Sequence, residues 1–520
     1  MAASSNPTDE SSHLYDALPN DQDFDSIISD AKFTADTRTE FYDSCLTSRR
    51  YALVGVACST IFGCSCTIAG IVILVNHGVL GATDMSAVNF PLLLGGGRLP
   101  LALDLIVTLC TESIGLVHGI SLRSALASES RLDFNTNLRL LTAARGWYNP
   151  NGTLFDGISA VLLIISYSSA SLVCIDTITI VGMPLLVLGV ALLLQVIIAL
   201  SAMRAVKILT WSSSPFDLTA ALVHHMQLTH ATLRCMRCVS DLDTDGGPVK
   251  PSKIQPSAWH AHPSIRKVVI SLWVIVAACA GWAALVTYIS HRDSHFTSMT
   301  PNTWSFLPNG QSSSIWYSMP GVNLELWILL FVNMAVVQGP LTLGLHCSEL
   351  IANVIRDERQ WRCATGRKGL RTAMNPVKTI NSHSPDLSCT FRCEAFPAIT
   401  DWMFGLSFQI ANDISEGKLV GSGVFMNTPQ IWNLCIALFM FVYLITSVAR
   451  YRPRGPQPAA SGHLQTLANL VDEWYPVMWW GHKEDGIPYC HAGTSDHPLP
   501  LVKMDCVCAG SGAESLAPRS

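Results

Sequence analysis

The sequence predicts an all-α, polytopic transmembrane helix bundle of about seven spans, with partly ordered cytoplasmic loops and a membrane-docked C-terminal tail. Three observations predict it. Only 14% of the 520 residues are charged and 49% are hydrophobic, whereas soluble domains carry about 25% charge. Apolar runs of about 20 residues recur, each long enough at 1.5 Å per residue to cross a hydrocarbon core of about 30 Å. Lys and Arg gather in alternate connections, the asymmetry that orients membrane proteins.

Residues 1–48 are acidic and poor in large apolar side chains, so a disordered N-terminal tail is expected. They hold no basic segment followed by a short apolar core and a cleavage site, so the first span is expected to direct insertion. Four spans fill residues 49–203: Tyr51–Val75, Leu101–Leu122, Gly157–Ile175 and Ile178–Met203. The second is the weakest, because Asp104, Glu112 and His118 interrupt it, and an interfacial or re-entrant helix is the alternative. Residues 204–266 read as a cytoplasmic loop with an amphipathic helix around Leu218 and Leu222, then a turn-rich stretch from Asp241 to Pro256. Spans five and six, Val268–Ile289 and Leu324–Leu345, lie within 267–351. A loop over 352–430 precedes the last span, Ile431–Ala449, within 431–450. In the tail, 451–520, Leu464, Leu467, Val471 and Trp474 share one face of a helix expected over 462–474. Trp479 and Trp480 suit either a headgroup boundary or the core of a small tail domain.

Arg49 and Arg50, then Arg123, Arg131, Arg139 and Arg145, then the basic residues from Arg204 to Lys267 mark cytoplasmic flanks. The intervening loops hold little positive charge, and this alternation requires Leu101–Leu122 to cross. The last span breaks the pattern, since Arg356–Arg371 and Arg450, Arg452 and Arg454 would both lie inside. Either Phe396–Ala411 makes a further crossing or half-crossing, or the tail lies outside. Asn151-Gly152-Thr153 falls in a cytoplasmic loop and is expected to be unmodified.

A net charge of −5 excludes a basic nucleic-acid-binding face. Many of the 17 cysteines, such as Cys58, Cys64, Cys66, Cys110, Cys174, Cys279 and Cys435, sit in apolar stretches and read as free thiols. Glu112 is the sharpest lead, because a carboxylate within a span must be paired, protonated or hydrated. Asp104 lies about 80° around the same helix, and Gly115 and Gly119 would let a neighbour approach on that side. Two readings stay open: an interhelical lock, or a proton or cation site in a transport path. Glu325, Asn333 and Gln338, with the kink-permitting Gly339-Pro340 pair, would line such a path from the sixth span.

His224, His225, His230, Cys235 and Cys238, followed by His260 and His262, offer zinc-type ligands. One C-x-x-C pair spread over several helical faces makes His225, His230, Cys235 and Cys238 weak metal candidates, and no cofactor is expected. His346 and Glu349 have the i, i+3 spacing of metal-carboxylate bundles, which is also an ordinary helix-end pair. No nucleophile elbow, phosphate loop, H-E-x-x-H or dinucleotide fingerprint is found, and Gly95-Gly96-Gly97 reads as a turn.

FNTNLRLLTAARGWYNPNG (Phe134–Gly152), LHCSELIANVIRDERQWR (Leu345–Arg362), and the tail segments GHLQTLANLVDEW, MWWGHKEDG and HAGTS resemble a family of fungal multi-pass integral membrane proteins. The resemblance covers most of the chain from Tyr51 and implies the membrane architecture, with no activity or catalytic residue to carry over. The sequence departs from that pattern around Leu387–Pro397. The expected function is transporter-like or channel-like, with the lipid bilayer, a small solute or ion, and protein partners at the cytoplasmic loops and tail. A non-enzymatic scaffold is the alternative, and a membrane-embedded metal-dependent enzyme a third reading should the histidines converge. Either the plasma membrane or an internal membrane fits.

Overall fold

The computed structural model describes residues 46–78, 82–84, 98–136, 142–175, 179–231, 234–241, 247–293, 304–307, 313–320, 324–372, 399–400, 402–415, 418–485 and 489–509. The acidic tail expected to be disordered lies outside them. Seven described helices are long and apolar enough to cross a membrane. They are α1 (Leu46–His77), α2 (Arg98–Ser128), α3 (Thr153–Val173), α4 (Gly182–Ala205), then, after α5 (Pro215–His224) and α6 (Ala258–Ala261), α7 (Pro263–Asp293), α8 (Leu324–Arg362) and α9 (Thr428–Arg450). The weak span is therefore one continuous helix of 31 residues, not a re-entrant piece.

Helices α1–α4 share one core, in which Val107, Leu163, Leu188 and Leu192 are buried. Helices α7–α9 share a second, around Leu272, Leu345, Leu438 and Ile445. The closest packing is α1 on α4, where glycines admit backbone against backbone: a Cβ on Gly70 would stand 2.7 Å from Leu186 N. Gly119, expected to admit a neighbour on α2, has nothing within 4 Å of a Cβ.

Two small sheets cap one end of the bundle. The first joins β1 (Ala82–Asp84), β3 (Thr179–Val181) and β2 (Cys174–Ile175); the second joins β4 (Ser314–Pro320), β7 (Lys418–Asn427) and β6 (Phe408–Ser415), both antiparallel. Within 396–411 the described residues hold a short helical stretch at 402–407 and then enter β6. Phe408, Ile410 and their polar neighbours alternate with the period of a strand.

Helix α9 is antiparallel to α7, as Trp273 Nε1 donates to Thr446 Oγ1 at 3.1 Å and Trp432 Nε1 to Thr287 Oγ1 at 3.1 Å. Its C-terminal end leads to Gln457, whose side chain donates to Trp361 O on α8 at 2.7 Å. Helices α8 and α9 therefore run in the same direction, and 372 and 399 lie at opposite ends of the bundle. Arg49 over Trp211 at 5.8 Å and Arg450 over Trp259 at 4.9 Å place both chain flanks at the same, basic end.

The tail forms a packed domain on that basic end, built on β5 (Leu370–Arg371), β8 (Val477–Glu484), β9 (His491–Ser495) and α10 (Leu464–Leu470). Its core includes Phe216 from α5, Trp361 from α8, Leu467, Trp480 and Cys490. The expected membrane-docked helix is thus shorter than 462–474 and is covered by protein, and Trp480, 2% exposed, packs edge-on to Trp361 instead of meeting headgroups. Helix α5 is likewise buried, not laid on a surface. An apolar stripe states that a face is covered; it leaves open whether lipid or protein covers it. Asn151 is fully buried with Nδ2 donating to Ala202 O, which closes it to glycosylation.

The tail domain carries a pH dependence. Phe134 stacks between His262 and His463, with ring centroids 4.2 and 4.9 Å away. Burial holds both imidazoles down at about 4, with His463 adding repulsion at His262. His463 Nδ1 also accepts from Thr466 N as the N-cap of α10, which needs it unprotonated. Protonation is available only to the unfolded chain between the ordinary pKa near 6.5 and about 4, so stability is complete above 6.5 and falls on acidification. The loss is about 1.4 kcal/mol per pH unit for each histidine. Melting of the tail domain at pH 7 and pH 5 is the check, and His463→Asn, which keeps a cap acceptor, should halve the slope. Asp472 does not share this window: burial alone would raise its carboxyl, but hydrogen bonds from His491, Thr494 and Lys483 outweigh it and hold it below the usual range.

Candidate functional site

Glu112 on α2 meets His346 and Glu349 on α8. His346 Nδ1 lies 3.4 Å from Glu112 Oε1 and 3.5 Å from Glu349 Oε1, and one ligand atom from each residue falls within 4.8 Å of the others. His346 is buried at 4%, while the two carboxylate side chains keep 35% and 37% of their surface. The His346–Glu349 spacing puts both on one turn of one helix, so the i, i+3 pair needs only one carboxylate from a neighbouring helix to complete a three-ligand set.

The separations fit a loose ion pair and also the edges of a metal site. A charge-assisted N–H to carboxylate bond closes to about 2.7–2.9 Å. Ligands held about 2.1 Å from a tetrahedral ion are spaced about 3.4 Å from one another. The observed 3.4 and 3.5 Å match the second figure. Three protein ligands leave a fourth position for water or substrate.

A buried polar face surrounds the site. Gln338, Thr342, His346 and Glu349 fall at i, i+4, i+8 and i+11 of α8, within about 80° of arc. Gln338 Nε2 donates to Ser171 Oγ at 3.3 Å. Thr342 Oγ1 and Ser168 Oγ are buried with no hydrogen-bond partner among the described residues. Tyr167 on α3 packs against the His346 ring at 5.9 Å, and its hydroxyl lies 3.2 Å from Thr111 Oγ1 and 3.3 Å from Thr108 Oγ1 on α2. Glu112 is thereby set beside a hydroxyl cluster spanning α2 and α3.

The site does not sit at mid-bundle. Ser59 Oγ on α1 donates to Cys110 O, and Gly55 lies directly against Ser113. Glu112 is therefore level with residues 54–56 of α1, roughly 9 Å along the axis from Arg50. Helix α2 is shifted toward the basic end and runs on to Ser128. A carboxylate expected to lie deep in the apolar layer lies close to its rim.

The other expected residues divide. Asp104 is buried at 3%, two turns away on α2, and Gln338 joins the polar face. Glu325 and Asn333 are exposed on the outside of the bundle and do not line it. The histidine and cysteine cluster does not converge: His230 Nδ1 pairs with Ala468 O at 2.9 Å, and His225 stacks on His224. Cys238 donates to Gln255 Oε1, and burial pushes the Cys235 thiol up to about 11 and Cys238 to about 12. Those thiols are core residues. Tyr167, Thr111 and Thr342 escaped sequence reading, although Thr342 lies on the helical line joining Gln338 to His346. No protein-family model, curated protein or solved structure matches the chain.

Proposed function

We propose that this chain is a membrane protein that binds a divalent cation at Glu112, His346 and Glu349, and that the site is one station of a cation path through the bundle. The observation that carries the reading is the spacing of His346 Nδ1 from the two carboxylates. The clustering of Arg49, Arg50, Arg204, Lys207, Arg356 and Arg450 at the tail end of the bundle supports a cytoplasmic location for the tail, with the site near the cytoplasmic rim. The buried polar row from Gln338 to His346 leads from it toward the opposite side.

The full chain in detergent micelles is expected to bind Zn²⁺ or Mn²⁺. Glu112→Gln and His346→Ala should each weaken that binding by more than about tenfold, since loss of a ligand costs at least as much as loss of its supporting shell. In proteoliposomes the parent chain should pass the same ion down a gradient and Glu112→Gln should not. Binding unaltered by both substitutions would sink the metal site. A second reading is a membrane-embedded metal-dependent enzyme, favoured by the open fourth position beside Tyr167. Metal binding without flux would favour it over transport.

A further inference from the structure

A second cluster of metal-ligating groups lies in the tail domain, away from the helices of the bundle. Asp485 follows β8, Cys490 precedes β9, and Cys506 belongs to the last described segment; one ligand atom from each falls within 4.8 Å of the others. Cys490 Sγ donates to Asp485 Oδ1 at 3.7 Å and hydrogen-bonds to Cys506. His482, 7% exposed, supports the cluster from outside it, with Nε2 in an ion pair 2.9 Å from the same carboxylate oxygen.

We infer that Asp485, Cys490 and Cys506 bind a zinc ion, with water as the fourth ligand, and that this ion staples the tail domain. Two thiolates and one carboxylate are ligands that zinc accepts in tetrahedral array. Two thiolates and a carboxylate around a dication leave one net negative charge, and Lys503, hydrogen-bonded to Asp485 Oδ2, offsets it. The backbone already brings the strands to the site: Cys490 N donates to Val507 O at 3.0 Å and Ala509 N to Cys490 O at 2.9 Å. A bound ion would join the turn end of the β8–β9 hairpin to the 506–509 segment, adding to the backbone bonds that segment makes with Cys490 and Val249. The two thiols could instead form a disulfide, but a tail on the cytoplasmic side lies in a reducing compartment. The site is separate from the Glu112 centre, so each can fail while the other stands.

The test uses the full chain carrying Glu112→Gln and His346→Ala, reduced, in detergent micelles, with Co²⁺ as the probe. A thiolate-to-cobalt charge-transfer band is expected, displaced by one equivalent of Zn²⁺. Cys490→Ser and Cys506→Ser should each abolish it, whereas Cys58→Ser should leave it intact. Asp485→Asn, at a largely exposed side chain, keeps the fold and should weaken cobalt binding by roughly tenfold. The inference is overturned if no charge-transfer band forms, if the band survives Cys490→Ser, or if Asp485→Asn binds cobalt as tightly as its parent. Mass spectrometry of protein alkylated during isolation overturns it as well if Cys490 and Cys506 are found disulfide-bonded.

Discussion

Asp357→Ala is expected to cost about 3–5 kcal/mol and to release the tail domain from the bundle, because it removes the carboxylate that buried Arg123 reaches through Asn135 and that Arg356 Nε approaches at 3.7 Å. Asp357 is 1% exposed near the C-terminal end of α8 and accepts from Asn135 Nδ2 at 2.9 Å. The other end of that amide accepts from Arg123 Nη1 at 2.8 Å, and Arg123 Nη2 donates to Ser212 O. Arg123 is itself 7% exposed, so it would be left buried in the α2 extension without its countercharge. Glu358 adds the second anchor: its Oε2 accepts from Ala460 N at 2.9 Å and Ser461 N at 2.8 Å, where the chain turns through the left-handed residues Ser461 and Gly462. A Cβ on Gly462 would stand 2.6 Å from Asp357 Oδ2, so that turn accepts no other residue without displacing the carboxylate. Chemical unfolding followed by tryptophan fluorescence, which reads Trp361 and Trp480 in the tail core, should report the loss. Arg123→Met combined with Asp357→Leu should recover only part of it, since both charges are gone but the buried Asn135 amide loses the partners that they supplied.

Segments from three distant parts of the chain meet at this interlock. Asn135 comes from FNTNLR, Asp357, Glu358 and Trp361 from DERQWR, and Ser461 to His463 from the start of the tail motif; Trp361 Nε1 donates to Pro458 O at 2.8 Å. His346 and Glu349, in the same helix motif, are the exception and reach the candidate cation site.

Spans were legible because hydropathy over 20 residues is a local property, and even α2 emerged once charge alternation required it. Phe396–Ala411 stayed ambiguous in the sequence because an apolar stretch of that length suits a half-span, a core helix or a strand, and the alternation that marks β6 begins only at Phe408. The tail stripe of Leu464 and Leu467 gave the right periodicity and the wrong cover, since a stripe does not name its partner. The Glu112 centre was half legible: His346 and Glu349 share a helix turn, but Glu112 joins them across helices far apart in the chain, and no spacing rule encodes that contact. Asp485, Cys490 and Cys506 were not legible at all, because none of their spacings matches a C-x-x-C pattern and the contacts depend on β8, β9 and the last described segment folding together.

Gly189→Leu should separate α1 from α4 at a cost of about 3 kcal/mol or more, the upper range for overpacking, because the obstruction is backbone and no rotamer change relieves it. A Cβ at Gly189 would stand 2.6 Å from both Gly63 O and Thr67 N on α1. Gly63 is close in the reverse direction, with a Cβ 3.3 Å from Gly189 O, and Gly182 packs on Ile73. In a bilayer, helices gain little from hiding apolar surface from one another, so such contacts must supply much of their association. Gly119→Leu on α2 is the matched control: it adds the same side chain where nothing lies within 4 Å of the Cβ, and should change stability by less than about 0.5 kcal/mol. Detergent-resistant size-exclusion profiles and thermal unfolding of the two variants measure the contrast. The damage at Gly189 should also reach the cation site, since α1 seats α2 through Gly55 against Ser113, one residue from Glu112. A Gly189→Leu chain that unfolds no earlier than Gly119→Leu would mean that α1 and α4 do not pack through their glycines, and Glu112 would lose the support that positions it opposite His346.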